Sequence, residues 1–382
     1  MRLRSPLLLV AAGLVLAGPF AVGYRLSQGG RATGPVAIRS AVDEVRSALA
    51  LRYYRPVPTS VLRLASIDEM LSALGDPYTA YLGPSDYRLL RQETASRYSG
   101  IGASVLPSPG GLVVVSLRPG PAQRAGIRPG DTIVRIGSTP TARLGMAGAF
   151  ARILGPPGTH VRLELVRAGQ RLDLDVRRAT VQAPVVEAKL LSYAGRRWGL
   201  LRLSAFRVGA AVVLRRQLRL LEREGASGIV LDLRENPGGL VDQAIAVSSL
   251  FLDHGVVVTL AGAHSPRKVY RAFPGVATNL PLAVLVDKNT ASSAEIVAAA
   301  LRDHQRATLV GQRTFGKAVV QSVDPLDNGA ALELTVARYF TPAGDDISNV
   351  GVSPQVAAVD DPATPQDEAL AAALRVLARP TS

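Results

Sequence analysis

The hydrophobic pattern begins with an apolar run, residues 7–23, that follows a short basic start containing Arg2 and Arg4. A basic segment before an apolar core is typical of an export signal. Residues 21–23, Ala-Val-Gly, fit the small residues of a cleavage site, while the run is also close to the length of one membrane span. We therefore predict that residues 1–25 are a signal peptide or a membrane anchor and that the chain is exported.

The hydrophobic pattern then changes three times along the chain. Apolar residues recur at helical spacing in residues 36–96, which predicts a small helical region. Residues 97–182 carry short β-branched runs divided by Gly and Pro turns, which predicts a compact β-rich domain. Strand and helix patterns alternate within residues 183–360, which predicts a layered α/β core with right-handed crossovers. The Ala- and Leu-rich residues 361–382 predict a C-terminal helix.

The predicted core elements alternate regularly in type. In chain order they are strand 199–203, helix 213–224, strand 229–233, helix 241–250, strand 282–286 and helix 294–302. Parallel strands need such helical crossovers between them, so the pattern favours a sheet covered by helices.

Composition narrows the chemistry that this chain can carry. Its 382 residues are 47% hydrophobic, enough for several compact domains, and their net charge is +14. The arginines are spread without interleaved aromatic residues, so a solvated arginine-rich surface is favoured over a nucleic-acid site. There is no cysteine, and no two of the four histidines have the spacing of a helical metal pair. A cysteine nucleophile, a disulfide and a thiolate metal site are therefore excluded.

Lysine is scarce in this chain, because only four of the 44 basic residues are lysines: Lys189, Lys268, Lys288 and Lys317. The pKa of lysine falls readily on burial, whereas arginine stays charged, so a lysine in an apolar setting is a candidate base. Lys317 lies between a turn and an apolar strand. For this segment taken alone, the alternative is a solvated lysine at the end of a surface strand.

A serine lies 25 residues before that lysine, where a buried strand is predicted to end and a helix to begin. There, the Ser292 hydroxyl is near backbone N–H groups and the positive end of the helix dipole. A serine beside a lysine can act as a nucleophile, so Ser292 and Lys317 are a candidate pair. The alternative is a capping box, since Ser292 and Glu295 have the S-x-x-E spacing that opens many helices.

Two segments of the chain carry a family resemblance. Residues 289–296 read NTASSAEI and residues 311–321 read GQRTFGKAVVQ. Together they resemble the active-site signature of the C-terminal processing peptidases, also called tail-specific proteases. The resemblance implies that Ser292 is the nucleophile, Lys317 the general base and Gln321 the residue that orients the lysine.

The signature departs from the family at one point. The family usually reads S-A-S-A-S-E-I where this chain reads T-A-S-S-A-E-I, so Ser293 is a rival nucleophile to Ser292. A second family element is residues 228–240, in which the turn Asn-Pro-Gly-Gly lets backbone N–H groups approach a ligand closely. The resemblance suggests that the N–H groups of Gly239 and Ser293 bind the oxyanion. A plain strand-to-helix turn is the alternative for this segment alone.

The β-rich region carries a third resemblance. Residues 99–105, SGIGASV, and residues 121–133, PAQRAGIRPGDTI, resemble the carboxylate-binding loop and a later segment of PDZ domains in this family. A Gly-rich loop offers N–H groups to a terminal carboxylate while the peptide adds as a strand to the neighbouring edge. The resemblance implies a site for peptide C-termini at Ser99, Gly100, Ile101 and Gly102.

The resemblance extends through residues 76–82 and 335–344, and so covers most of the chain. It implies an α/β (α+β) fold class, in which a layered α/β protease core has an inserted β-rich PDZ domain and an N-terminal helical region. The implied function is a serine endopeptidase that recognises protein C-termini through its PDZ domain. It would then cleave the tail through a Ser-Lys acyl-enzyme.

The same resemblance implies partners and a location. The expected substrates are proteins with free, apolar or small C-termini, bound by a PDZ domain that gates activity, with no cofactor and no nucleic acid. The expected location is periplasmic or otherwise outside the cytoplasm. Association with the membrane through the N-terminal segment, a homo-oligomer and an adaptor stay open.

Two other functions compete with a peptidase. A catalytically inactive PDZ scaffold that binds C-termini is the main alternative, because the Ser292–Ser293 departure keeps it open. A β-lactamase-like acyltransferase is disfavoured, because the chain lacks its S-x-x-K spacing and its K-T-G element.

Overall fold

The computed structural model of the chain describes residues 40–94, 97–182, 185–360, 364 and 366–379. The predicted export segment, residues 1–25, lies outside the described residues. None of the described helices is both long and apolar enough to cross a membrane. The described residues divide into two compact units, of which residues 97–182 form one and the remainder form the other.

The larger unit begins with a helical region. Its elements are α1 (Ala41–Arg52), α2 (Thr59–Leu62), α3 (Ile67–Leu74), β1 (Ala80–Leu82) and α4 (Pro84–Thr94). Ser66 caps the start of α3 by accepting a hydrogen bond from the Glu69 amide, and Gly75 ends it in the left-handed conformation. The sequence predicted only helices here; β1 is too short to produce a periodic pattern.

The smaller unit, residues 97–182, consists mainly of strands; we call it the PDZ unit after the domain that its sequence resembles. Its elements are β2 (Arg97–Gly100), β3 (Ala103–Ser108), β4 (Gly111–Leu117), α5 (Pro121–Arg124), β5 (Thr132–Ile136), β6 (Thr139–Pro140), α6 (Gly145–Ile153), β7 (His160–Arg167), β8 (Gln170–Arg177) and β9 (Ala179–Gln182). The order β3-β4-β5-β7-β8 forms one antiparallel sheet, and β2 pairs with β9. Ile133, Leu163 and Leu165 are fully buried in its core.

The core of the larger unit follows in the chain. Its elements are β10 (Val186–Tyr193), β11 (Arg196–Leu203), α7 (Ala210–Arg223), β12 (Ile229–Asp232), α8 (Val241–Ser248), β13 (Val256–Gly262), β14 (Ser265–Arg271), β15 (Leu282–Val286), α9 (Ser293–Asp303), β16 (Thr308–Gly311), β17 (Val319–Pro325), β18 (Ala331–Phe340), β19 (Val356–Ala357) and α10 (Glu368–Ala378).

A six-stranded sheet in the order β10-β11-β12-β15-β16-β19 lies at the centre of this core. Within this sheet, β11, β12, β15, β16 and β19 run parallel to one another. Consecutive side chains of β12, such as Val230 and Leu231, point to opposite faces of the sheet. Leu231 packs with α7, α8 and α9, whereas Val230 packs with α10. The layered α/β fold predicted from the sequence is therefore confirmed.

A second sheet, which the sequence did not predict, contains the strand that follows Lys317. It has the order β1-β18-β13-β14, and β17 also pairs with β18. On one face of β18, Leu332 and Leu334 pack against the N-terminal helices. On the other face lie Glu333 and Thr335, both buried. Gln321, which binds the candidate base Lys317, pairs with Thr335 on this polar face.

Candidate active site

Ser292 lies at the junction between the central sheet and α9. β15 ends at Val286, the chain turns, and α9 begins at Ser293. Ser292 has φ 55° and ψ −118°. A non-glycine residue adopts such a conformation only where its surroundings enforce it, at a cost of roughly 1–3 kcal/mol. The turn therefore presents Ser292 in a strained conformation.

Hydrogen bonds from the neighbouring strand end enforce this turn. The Thr290 hydroxyl lies 2.9 Å from the Leu233 carbonyl oxygen and 3.0 Å from Asp287 Oδ1. The Glu235 amide donates to the Asp287 carboxylate at 3.1 Å, and the Ala291 amide donates to the Asn236 carbonyl at 2.9 Å. The turn that carries Ser292 and the Asn-Pro-Gly-Gly turn are thus bound to each other.

The two adjacent serines differ in what their hydroxyls contact. The Ser293 hydroxyl donates to the Gly239 carbonyl at 2.8 Å. The Ser292 hydroxyl is buried, and no described residue forms a hydrogen bond with it. Because a nucleophile must be available to react, this difference favours Ser292 over Ser293.

Lys317 is a buried lysine with a specific hydrogen-bond partner. Its side chain is 3% exposed and its Nζ donates to Gln321 Oε1 at 2.8 Å. The ring centroid of Tyr78 lies 5.2 Å from the same nitrogen. Burial lowers the pKa of Lys317 to about 7, although the negative charges of Glu333, Asp76 and Glu295 act to raise it. Such a lysine is substantially neutral near pH 7 and can accept a proton.

Gln321 is fully buried, and the direction of its amide is set from both ends. Its Nε2 donates to the Tyr78 carbonyl, which leaves its Oε1 facing Lys317. The loop before β1 therefore helps to position the candidate base. The sequence marked this loop only as part of the family resemblance and not as part of the site.

Glu295 has a role that its place in a capping box did not predict. Its Oε2 accepts hydrogen bonds from the backbone amides of Ser292, at 2.8 Å, and of Lys317, at 2.9 Å. Its Oε1 accepts from the Gly316 amide at 2.7 Å and from the Thr314 hydroxyl. Burial raises the pKa of Glu295, and these four donors oppose that rise. One carboxylate thus connects the backbone of the candidate nucleophile to that of the candidate base.

The predicted oxyanion donors lie where the two turns meet. A Cβ atom built on Gly238 would lie 2.9 Å from the Ser292 Cβ and 2.9 Å from the Ser293 nitrogen, so only glycine fits there. Gly239 follows with φ 139°, and the Leu240 amide donates to the Phe206 carbonyl. The backbone of Gly239 and the start of α9 are therefore neighbours, which is the arrangement that an oxyanion site requires.

The predicted site for peptide C-termini lies within the PDZ unit, where β2 leads into β3. Ser99 and Gly100 end β2, while Ile101 and Gly102 form the connection. Gly102 has φ +80°, and the Ile101 carbonyl accepts from the Ala122 amide at 2.7 Å. The four residues thus span the end of β2 and the short, glycine-containing connection to β3. Among the residues that the structure describes, no group of three or more His, Asp and Glu is placed to hold a metal ion.

Known proteins are similar to this chain in sequence and in fold. The profile of peptidase family S41 matches residues 197–358, and that of the PDZ domain matches residues 113–167. A carboxyl-terminal-processing protease of Synechocystis sp. is 38% identical over 306 residues, which cover 78% of this chain and 72% of the relative. The chain belongs to the carboxyl-terminal-processing proteases of family S41. It is therefore a serine-type peptidase.

Two further comparisons support this assignment. The carboxy-terminal processing protease CtpA of Bacillus subtilis is 34% identical to this S41 peptidase, over 84% of this chain and 68% of the relative. The solved structure of the photosystem II D1 C-terminal processing protease matches with a TM-score of 0.57 at 30% identity, over 88% of this chain and 96% of that one. The family and the peptidase activity predicted from the sequence are confirmed.

Proposed function

We propose that this S41 peptidase cleaves protein tails with Ser292 as nucleophile, Lys317 as general base and Gln321 as the residue that orients the base. The observation that carries the proposal is the shared Glu295 carboxylate. It joins the backbone of a strained serine, whose hydroxyl no described residue binds, to that of a buried lysine. These are the groups that acyl transfer without a histidine needs.

The proposed reaction proceeds in two stages. Neutral Lys317 takes the hydroxyl proton of Ser292 as Oγ attacks the peptide carbonyl, and the amides of Gly239 and Ser293 bind the oxyanion. The protonated lysine then gives its proton to the leaving amine as the C–N bond breaks. Water attacks the remaining ester, again with Lys317 as base, and releases Ser292.

We further propose that the PDZ unit selects the substrate by its C-terminus. The connection from β2 to β3 supports this assignment, because Ser99 and Gly100 at the strand end are followed by Ile101 and Gly102 in a glycine-containing loop. Such a loop offers backbone amides to a terminal carboxylate. The preferred tails are free and apolar. The apolar run in residues 7–23 after a basic start supports a location outside the cytoplasm.

The first prediction concerns the carboxylate of the tail. A denatured protein that ends in an apolar tag is expected to be cleaved at least about tenfold more efficiently with a free C-terminus than with an amidated one. The reason is that hydrogen bonds to a charged group contribute about 1.5–3 kcal/mol. The measurement is kcat/KM for each substrate, with the fragments identified by mass spectrometry.

Two glycine variants supply the matched comparison for this prediction. Gly102→Ala is expected to raise KM several-fold for the free tail only. Gly130→Ala places an alanine at a similar φ, +91° against +80°, with open space around it, and is expected to leave KM unchanged. Equal cleavage of the free and amidated tails would contradict recognition of the carboxylate. Binding of the tag without any cleavage would instead favour the scaffold alternative.

A second prediction concerns pH. Since Lys317 must be neutral to accept a proton and its pKa is lowered to about 7, kcat/KM is expected to rise about tenfold per pH unit below 7. It should then level off above that pH. Initial rates between pH 5 and pH 9 on one denatured substrate measure this curve. An acid limb near the ordinary pKa of a carboxylate would mean that a different group is the base.

A further inference from the structure

Glu333 lies on the face of β18 that supports the candidate base. Across β17 and β18, Gln321 pairs with Thr335 and Val323 pairs with Glu333. Residues two apart on a strand point to the same face, and so do residues paired across two strands. Glu333 therefore lies on the same face as Gln321, in the next residue pair of that face. Leu334, between them in sequence, points to the opposite face and packs in the helical cluster.

The Glu333 carboxyl is buried without full hydrogen bonding. The residue is 5% exposed, and among the described residues its Oε1 has no hydrogen-bond partner. A carboxyl in such a place is costly in its charged form unless a positive charge compensates it. The positive group that acts on Glu333 is Lys317. The structure thus contains a buried carboxyl on which the charge of the candidate base acts.

The other acidic groups around Lys317 are already committed to donors. Asp76 accepts from the Tyr78 amide at 2.9 Å and from the Thr79 hydroxyl at 2.7 Å. Glu295 accepts from four donors that hold the catalytic backbone. Tyr78, whose pKa burial raises, contributes its ring beside the lysine. Only Glu333 in this group has a carboxyl oxygen that no described residue binds.

We propose that Glu333 is a positioning residue for the base. Its carboxylate stabilises the ammonium that Lys317 becomes on taking the serine proton, and it thereby sets the pH at which this peptidase becomes active. The inference rests on the proposed function, because it needs Lys317 to be the base. It adds to the Ser-Lys-Gln arrangement a charged group that comes from a different strand.

The electrostatics of the pair agree with this role. Burial raises the pKa of Glu333 to about 7; the charge of Lys317 lowers it and that of Asp76 raises it. Burial lowers the pKa of Lys317 to about 7, and the charge of Glu333 is first among the groups that oppose the change. The two groups therefore titrate in the same pH range, as a coupled pair. Removing the carboxylate should let Lys317 lose its proton at lower pH.

Glu333→Gln tests this directly through the pH profile. The acid limb of kcat/KM is expected to move about one pH unit lower, since an opposite charge nearby shifts a pKa by one unit or more. Activity at pH 6 relative to pH 9 should then rise about fivefold. The plateau rate should fall several-fold because the new ammonium loses its partner. Glu187→Gln removes the same charge at an exposed residue of β10 that is not among the groups acting on Lys317, and it is expected to leave the limb unchanged.

The pH dependence of unfolding supplies a readout that does not need activity. An acid whose folded-state pKa is raised contributes stability below its ordinary pKa, and that stability is lost as pH rises through the folded value. For Glu333 this loss falls between about pH 4.5 and 7. The unfolding midpoint of the wild type should fall over this range, and that of Glu333→Gln should fall less. Glu333→Met removes the same ionisation if the glutamine variant does not fold.

The outcomes separate this inference from the function on which it rests. An unchanged or raised acid limb in an active Glu333→Gln variant would overturn the role of Glu333 while leaving the Ser-Lys mechanism intact. The same unfolding curve in variant and wild type would also overturn it. Activity that survives replacement of Lys317 would instead overturn the proposed function.

Discussion

Ser292→Ala is expected to lower kcat/KM by a factor of about 10⁴ or more, because removal of a catalytic nucleophile leaves only the contributions of binding and the oxyanion site. Lys317→Met is expected to have a similar effect, since the two residues act as a unit. The measurement is the initial rate of fragment release from a denatured protein with an apolar tail, at a pH above the acid limb.

Ser293→Ala is the matched control for the nucleophile. It removes a hydroxyl one residue away, whose described contact is a hydrogen bond to the Gly239 carbonyl. We expect a loss of less than about tenfold, as for one neutral hydrogen bond. Equal inactivation by Ser292→Ala and Ser293→Ala, with both variants folded, would mean that the hydroxyls cannot be separated in this way. A dead Ser293→Ala beside an active Ser292→Ala would assign the nucleophile to Ser293.

Glu295→Gln is expected to lower kcat by about 10² while changing KM little. The carboxylate accepts four hydrogen bonds, and an amide group would turn its NH₂ towards two of those donors. A buried donor left without an acceptor costs about 1–3 kcal/mol, so the backbone of Ser292 and Lys317 should shift to relieve it. The measurements are kcat and KM, with thermal unfolding as a check that the variant is folded.

Glu69→Gln is the matched control for this second prediction. Ser66 and Glu69 have the same S-x-x-E spacing at the start of α3, but Glu69 is exposed. Its replacement is expected to leave kcat unchanged and to lower stability by less than about 1 kcal/mol. An active Glu295→Gln enzyme would show that Glu295 is only a cap. A loss of kcat in both variants would point to a general effect of weakened helix starts.

These two S-x-x-E segments show what the local sequence can predict and what it cannot. Ser66–Glu69 and Ser292–Glu295 have the same S-x-x-E spacing, and the structure has the start of a helix at both places. What differs is the surroundings. Glu69 faces solvent, whereas Glu295 is fully buried and receives donors from a segment some 20 residues further on. Local spacing cannot express that difference.

The amino-acid sequence by itself determined the alternation of strands and helices in the core and the spacing of Ser292, Lys317 and Gln321. These features depend on short-range periodicity and on motif spacing, which are written in consecutive residues. The same holds for the β-rich texture of the PDZ unit. Its boundaries against the helical region followed from a change in pattern, not from any contact.

Only the tertiary structure decided what surrounds Lys317, the proposed base. Tyr78 reaches Gln321 across 243 positions of sequence, and the pairing of β17 with β18 brings Glu333 to the face that carries Gln321. The strand that carries Glu333 was not predicted from the sequence, and the sequence of a strand does not mark which of its two faces meets a given buried group. Burial and long-range pairing select which face meets the lysine, and burial then brings the pKa values of Lys317 and Glu333 together.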